Sequence, residues 1–501
     1  MSHCRPARAR PGPGPTFRTH SYASDWGTSI MTSSAPRRTV LAAALAAAAG
    51  VAAPSAQAAG TSRRPAAAPA TATTPATATT PDAAARRPKS LVDYHAWTTA
   101  SDWTKGHAKG TAVAHGARPG IRLAHPAGTS DYKDPHTGKT ATWESATWTS
   151  PVHRLKVPAT EVIASWNAHT PSGTWIAVEL RGTYSDGGRT PWYVMGRWTA
   201  GDSDADIRRT SVDGQNDGKS SISTDTFAID TPASGRRLTS YELRVTLYRK
   251  PGGTLTPTVW RLGAMGSDVP DRFEVPASAP GHVGRELVVP RYSQEIHKGQ
   301  YPEYDNGGEA WCSPTSSQMI IEHWGRRPTQ QQLSWVNPDY ADPQVCHAAR
   351  HTFDYQYEGC GNWPFNAAYA ATYRDLQGIV TRLSSLTDAE RLIHAGIPVI
   401  TSQSFLKPEL DGAGYGTAGH LMTVIGFTKD GDVIANDPAS PDNAAVRHVY
   451  KRRQFENIWL RTKRKNAEGK VVGGSGGVCY LYFPARPAPT QRRILAELGI
   501  R

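Results

Sequence analysis

Between residues 91 and 266 the sequence advances in short bursts. "TEVIASWNA", "TWIAVELRG", "PWYVMGRW", "YELRVTLYR" and "TPTVWRLGAM" show partial period-two alternation, and Gly, Asp, Asn and Pro separate them. Alternate side chains of a strand face opposite ways, so such runs fit half-buried strands joined by turns. Glu179 and Arg181, for example, alternate with Val178 and Leu180. The 46 Gly and 38 Pro also favour strands and loops over long helices. An all-β sandwich or jelly-roll-like domain is expected over 91–266. It carries nine tryptophans, from Trp97 to Trp260. Outward-facing ones would stack on sugar rings, as in binding of cell-wall polysaccharide. Inward-facing ones would build the core.

The 501 residues leave room for two or three domains. Arg37-Arg38 precedes an alanine-rich apolar run that ends near "SAQAA". Ala56-Gln57-Ala58 is a small-x-small cleavage site, so residues 1–58 read as a secretory signal, in form similar to a twin-arginine one. Met31 is an alternative start. A secreted or extracellular protein is expected, with cell-wall association as one form of it. No later segment is apolar enough for stable membrane insertion. Residues 59–90, rich in Ala, Pro and Thr, read as a flexible tether. The formal charge of +13 includes a net +5 within residues 1–58, leaving +8 beyond them. A basic surface suits anionic wall polymers, but no zinc finger or Lys/Arg tract points to nucleic acid.

A polar, proline-bearing linker is expected over 267–284, followed by an α+β domain over 285–501. One helix is expected over about Pro314–His323. A second lies in "TDAERLIHAG", with Thr387 as N-cap, Glu390 completing a capping box and Gly396 as the stop. "IPVITSQ" and "GGVCYLYFP" read as strands. "GHLMTVIGFTKDGDVIANDP" reads as strand, Asp-Gly turn and strand, over Leu421–Phe427 and Val433–Asn436. "QFENIWLRTKRKNAEGK" reads as a strand and a solvated loop, and "PTQRRILAELGI" as a terminal helix.

Cys312 heads the first of these helices. A thiolate there gains from the helix dipole and free amides, which lowers its pKa. His420 begins an apolar strand behind a Gly-rich loop, where an imidazole can face a cleft. Asp437 ends the returning strand, so the two strand ends could be neighbours. Cys312, His420 and Asp437 could then serve as nucleophile, general base and orienting group, with Asn436 as the alternative third member.

"WCSPTSSQMI", "GHLMTVIGF" and "VIANDP", in this order and after Gln294, resemble the papain-like cysteine peptidases of the bacteriocin-leader-processing, C39-like type. The resemblance covers about Val289–Pro484. It implies a papain-like α+β fold with nucleophile Cys312, base His420 and Asp437 orienting the base. It also implies that Gln294, in "VPRYSQEIHKG", helps form the oxyanion hole. The family often has Gly after the nucleophile; here Ser313 follows, and its side chain could narrow the cleft. The implied activity is peptide or isopeptide cleavage through an acyl-enzyme, on a peptide or protein substrate and without cofactor or metal. Two alternatives remain: a non-catalytic carbohydrate- or surface-binding protein with a degenerate peptidase fold, and a transglutaminase-like acyl transferase.

Cys346 and Cys360 bracket a loop that a disulfide would close in a secreted chain. His347 and His351 have i,i+4 spacing but lack the intervening acid of a metalloprotease helix, so no metal site is expected. Cys479 reads as a dry strand residue. Trp363 reads either as cleft lining or as packing.

Overall fold

A computed structural model describes residues 91–282 and 284–500. The expected signal and tether fall outside these residues. An N-terminal sheet-rich domain is followed by a C-terminal α+β domain.

The N-terminal domain holds two seven-stranded antiparallel sheets. Strands Glu161–His169 and Thr258–Ser267 centre the first sheet, and Thr174–Tyr184 and Leu238–Arg249 the second. Trp97, Trp148 and Tyr241 meet edge-to-face between them, with ring centroids 6.0 and 6.4 Å apart. Of the nine tryptophans, eight are buried. The ninth, Trp192, is half-buried, with the guanidinium carbons of Arg181 and Arg244 at 4.5 and 4.2 Å from its ring. Eight tryptophans therefore serve the buried apolar interior, and the sugar-stacking expectation rests on the half-buried, arginine-covered Trp192 alone.

The Glu161–His169 strand is buried along almost its whole length. Its apolar side chains share one buried cluster with the second sheet, and it packs on the C-terminal domain through the Trp363–Thr372 helix and the Leu376–Arg382 strand. Two-sided burial is why "VIASWNA" reads as a nearly unbroken apolar run. Phe365 packs against Trp166 and Trp198, at 6.1 and 5.3 Å between centroids. Asn167 Nδ2 donates to the Gly378 carbonyl at 2.7 Å, and Arg382 reaches Glu161 and Ser267. One apolar core runs through both domains.

The C-terminal domain is a seven-stranded antiparallel sheet ordered Leu376–Arg382, Val478–Pro484, Val399–Phe405, Thr417–Phe427, Val433–Asn436 and Arg447–Tyr450, with Arg285–Glu286 also on Thr417–Phe427. The Cys312–His323 helix packs on the Thr417–Phe427 strand.

Several local expectations need correction. "QFENIWL" lies in a helix, Arg452–Leu460, because Phe455, Ile458 and Trp459 at i, i+3 and i+4 share one buried face. A short hairpin, Lys463–Lys465 with Val471–Gly473, follows it. The Leu386–His394 helix is capped by Ser385, whose hydroxyl accepts from the Asp388 amide, and not by Thr387. Thr387 instead donates to the Ala279 carbonyl. The hairpin after Phe427 turns through residues 428–432, with Thr428 and Asp432 bonded by their backbones, so it is wider than a two-residue turn. The connection near 270–280 is strapped to the Arg452–Leu460 helix: Val275 N donates to Asn457 Oδ1 and Ser278 N to Glu456 Oε2, both at 3.1 Å.

Candidate active site

The Cys312–His323 helix begins at Cys312 itself, with Pro314 in its first turn, where a missing N–H costs nothing. The thiol is half-buried, and every residue from Ser313 to Ile321 is buried. Ser313 does not enter the cleft. Its hydroxyl lies 3.0 Å from the Tyr480 hydroxyl of the Val478–Pro484 strand, inside the core. One helical turn on, Ser317 meets the Tyr482 hydroxyl at 2.8 Å.

His420 is 4% exposed. Its Nε2 lies 2.8 Å from Asp437 Oδ1, and the Cys312 thiol lies near enough to the same ring to help hold its proton. With Nε2 engaged, Nδ1 is the nitrogen left for sulfur. The strand register explains the meeting: Thr423 pairs with Asn436, so Asp437 continues toward the end of the strand that bears His420. Neighbouring strand residues face opposite ways, and Asn436 accordingly points elsewhere, with Nδ2 donating to the Pro290 carbonyl at 2.9 Å.

Asp437 is fully buried and fully partnered. Oδ1 also accepts from the Ala439 amide at 3.0 Å. Oδ2 accepts from the Tyr415 and Tyr450 hydroxyls, each at 2.8 Å. Burial works against its charge, but the His420 charge and hydrogen bond and the two hydroxyls hold it below the usual carboxylate range. Burial likewise penalises the His420 cation. The Asp437 charge and hydrogen bond, with smaller help from Cys312, outweigh this and lift His420 to about 10. The arrangement favours an imidazolium at neutral pH and can lend a proton to a leaving group.

Gln294 lies against the segment that leads into Cys312, 3% exposed. Its Nε2 donates to the Glu309 carbonyl at 2.7 Å and to Glu295 Oε1 at 3.0 Å, and its Oε1 has no protein partner. Glu295 is raised above the usual carboxylate range, first by burial, and lies in the field of His420.

Cys346 and Cys360 are free thiols, so the expected disulfide is not formed. Each sulfur has its own partner: Cys346 Sγ lies 3.6 Å from His297 Nδ1, and Cys360 Sγ donates to the Ala349 carbonyl at 3.5 Å. Burial pushes Cys346 up to about 12 and raises Cys360 and Cys479 as well. Thiol counting by mass should therefore find, among the four described cysteines, modification of Cys312 alone under native conditions and of all four in denaturant. His347 and His351 stack at 4.0 Å and are occupied, with His347 Nδ1 on Tyr369 and His351 Nδ1 on the His347 carbonyl. Trp363 packs: it is 7% exposed and opens the helix that carries Phe365.

Sequence reasoning missed Tyr415, Tyr450 and Glu295. Tyr415 lies in the Gly-rich stretch already singled out before His420. Glu295 adjoins Gln294. Tyr450, in "RHVY", carries no local signal.

Residues 93–267 match the profile of the peptidase C39 N-terminal domain, and residues 286–467 that of the peptidase C39-like family. No curated protein matches the chain. A crystal structure of a Bacillus anthracis chain ascribed to the C39-like peptidases aligns over 41% of this chain and 100% of its own. Identity is 16% and the TM-score 0.25, a likeness that carries no argument.

Proposed function

Because residues 286–467 belong to the C39-like peptidase family and follow that family's N-terminal domain, we propose that the chain is a cysteine peptidase acting outside the cell. It cleaves peptide or isopeptide bonds through Cys312, His420 and Asp437. The observation that carries this reading is the buried His420–Asp437 hydrogen bond, on the same ring that meets a thiol at a helix N-terminus.

Cys312 attacks the scissile carbonyl carbon as thiolate, and its former proton resides on His420. The carbonyl oxygen becomes an oxyanion, held by the Cys312 backbone N–H and Gln294 Nε2. Gln294 keeps its bond to Glu309 and exchanges the one to Glu295 for the oxyanion. The C–N bond breaks as His420 passes its proton to the amine, leaving a thioester. Water, losing a proton to His420, attacks the thioester. The acid departs and the Cys312–His420 pair is restored. An amine in place of water would give transfer by the same intermediate.

A raised His420 keeps its proton until the pH reaches its folded-state value. The alkaline limb of kcat/KM for peptide hydrolysis should therefore fall near pH 10. Asp437→Asn removes the charge that sustains it, so the limb should move toward the ordinary histidine value near 6.5. Labelling by iodoacetamide tests the pair directly: Cys312 should react quickly at neutral pH and much more slowly in His420→Ala. Equal rates in the two proteins would count against the assignment.

A further inference from the structure

Asp437 has more partners than the orientation of an imidazole requires. Oδ1 meets His420 and the Ala439 amide, and Oδ2 meets two hydroxyls that come from opposite sides of the chain. Tyr450 ends the Arg447–Tyr450 strand, is fully buried, and stacks on Phe455 at 6.1 Å. Tyr415 stands on a loop punctuated by Gly412 and Gly414, both left-handed at φ +89° and +80°. Its ring meets the His420 ring edge-on at 5.6 Å and 80°, and Phe405 at 5.3 Å. Tyr415 thus touches both members of the pair from a segment built to turn tightly.

We propose that Tyr415 and Tyr450 form a two-hydroxyl clamp on Asp437 Oδ2, acting as positioning residues that set the Cys312–His420 pair through Asp437. This rests on the triad reading above. A buried carboxylate stays ionised only if donors replace the water it has lost. With both hydroxyls gone, Oδ2 is a buried acceptor without a donor among the described residues, and Asp437 becomes easier to protonate. A neutral Asp437 no longer supports the imidazolium that partners Cys312. The other titratable groups around this centre are Cys312 across the His420 ring, Glu295 in the field of His420, and His448, stacked on Tyr450 at 5.2 Å and bonded to Ser440. None of these donates to Oδ2. Tyr415 also shields the His420–Asp437 bond on its edge-on side, where lower polarity strengthens it.

The test is the pH dependence of Cys312 alkylation by iodoacetamide in the folded protein, Tyr415→Phe, Tyr450→Phe and the double variant. The acid limb of labelling should rise by about one pH unit in the double variant and by less in each single variant. For hydrolysis, the double variant should lose about tenfold in kcat with KM nearly unchanged. A merely structural tyrosine would lower thermal stability and leave the limb in place. Tyr415→Phe alters only a half-buried loop residue, so it carries the test if Tyr450→Phe does not fold. An unmoved limb in folded Tyr415→Phe, beside a wild type whose Cys312 labelling depends on His420, overturns the clamp and leaves the triad standing. Slow wild-type labelling that ignores His420→Ala overturns the triad and the clamp together.

Discussion

Cys312→Ala abolishes hydrolysis while the protein folds as before: this is the expected result with the largest effect on activity. The thiol is half-buried at the first position of its helix, and the packing lies in the residues behind it. Removing one sulfur there leaves no large cavity. Loss of a nucleophile that works as a unit with its base typically costs ~10⁶-fold in kcat, and removing the base as well adds little. Cys312→Ala and the Cys312→Ala/His420→Ala pair should therefore have the same residual rate. Melting temperatures of wild type and Cys312→Ala should lie within a few degrees of one another. Hydrolysis in Cys312→Ala at a rate near that of wild type would assign the chemistry elsewhere.

The largest expected effect on stability follows from removing the N-terminal domain. A chain starting at residue 285 should fail to give a soluble, cooperatively melting protein. The Trp363–Thr372 helix would lose the wall that covers it. Phe365, fully buried against Trp166 and Trp198, would face water. Exposing a side chain of that size costs about 1.5–3 kcal/mol, against a total stability of about 5–15 kcal/mol for a typical domain. Polar ties go with it. Asp354, buried, loses the Ser211 amide; Arg350 loses Asp202; Arg382 loses Glu161. The strap at 270–280 would go too, and with it the cover on the Arg452–Leu460 helix. Size-exclusion chromatography and a thermal melt would check this. A monomeric truncated protein melting near the full-length temperature would mean that the C-terminal half is self-sufficient.

What could be read from sequence differed from place to place for physical reasons. The strands of the N-terminal domain and the strand pair bearing His420 and Asp437 announce themselves through long apolar runs that the structure buries. The choice between Asn436 and Asp437 stayed open because adjacent strand residues differ only in the face they take. The face depends on register, and register on a turn that proved longer than two residues. The Arg452–Leu460 helix was obscured by the basic residues around it, although the spacing of Phe455, Ile458 and Trp459 held the signal. Thr387 and Ser385 are both competent caps two residues apart, and packing of the Ala279 segment decided between them. Tyr450 was beyond reach. Its role comes from a strand folding back beside Asp437, and no local pattern encodes that return.

The two serine–tyrosine contacts beneath Cys312 act as a detent. Four helical residues advance ~6 Å and two strand residues ~6.7 Å. Ser313 and Ser317 therefore engage Tyr480 and Tyr482 at almost equal intervals. A slide of the helix by one residue, ~1.5 Å, disengages both at once, and no nearby setting restores them. The depth of the sulfur above the sheet is thus indexed to a single notch. Heating should not blunt such a site by degrees: the His420-dependent activation of Cys312 and the fold of the domain should be lost in the same transition.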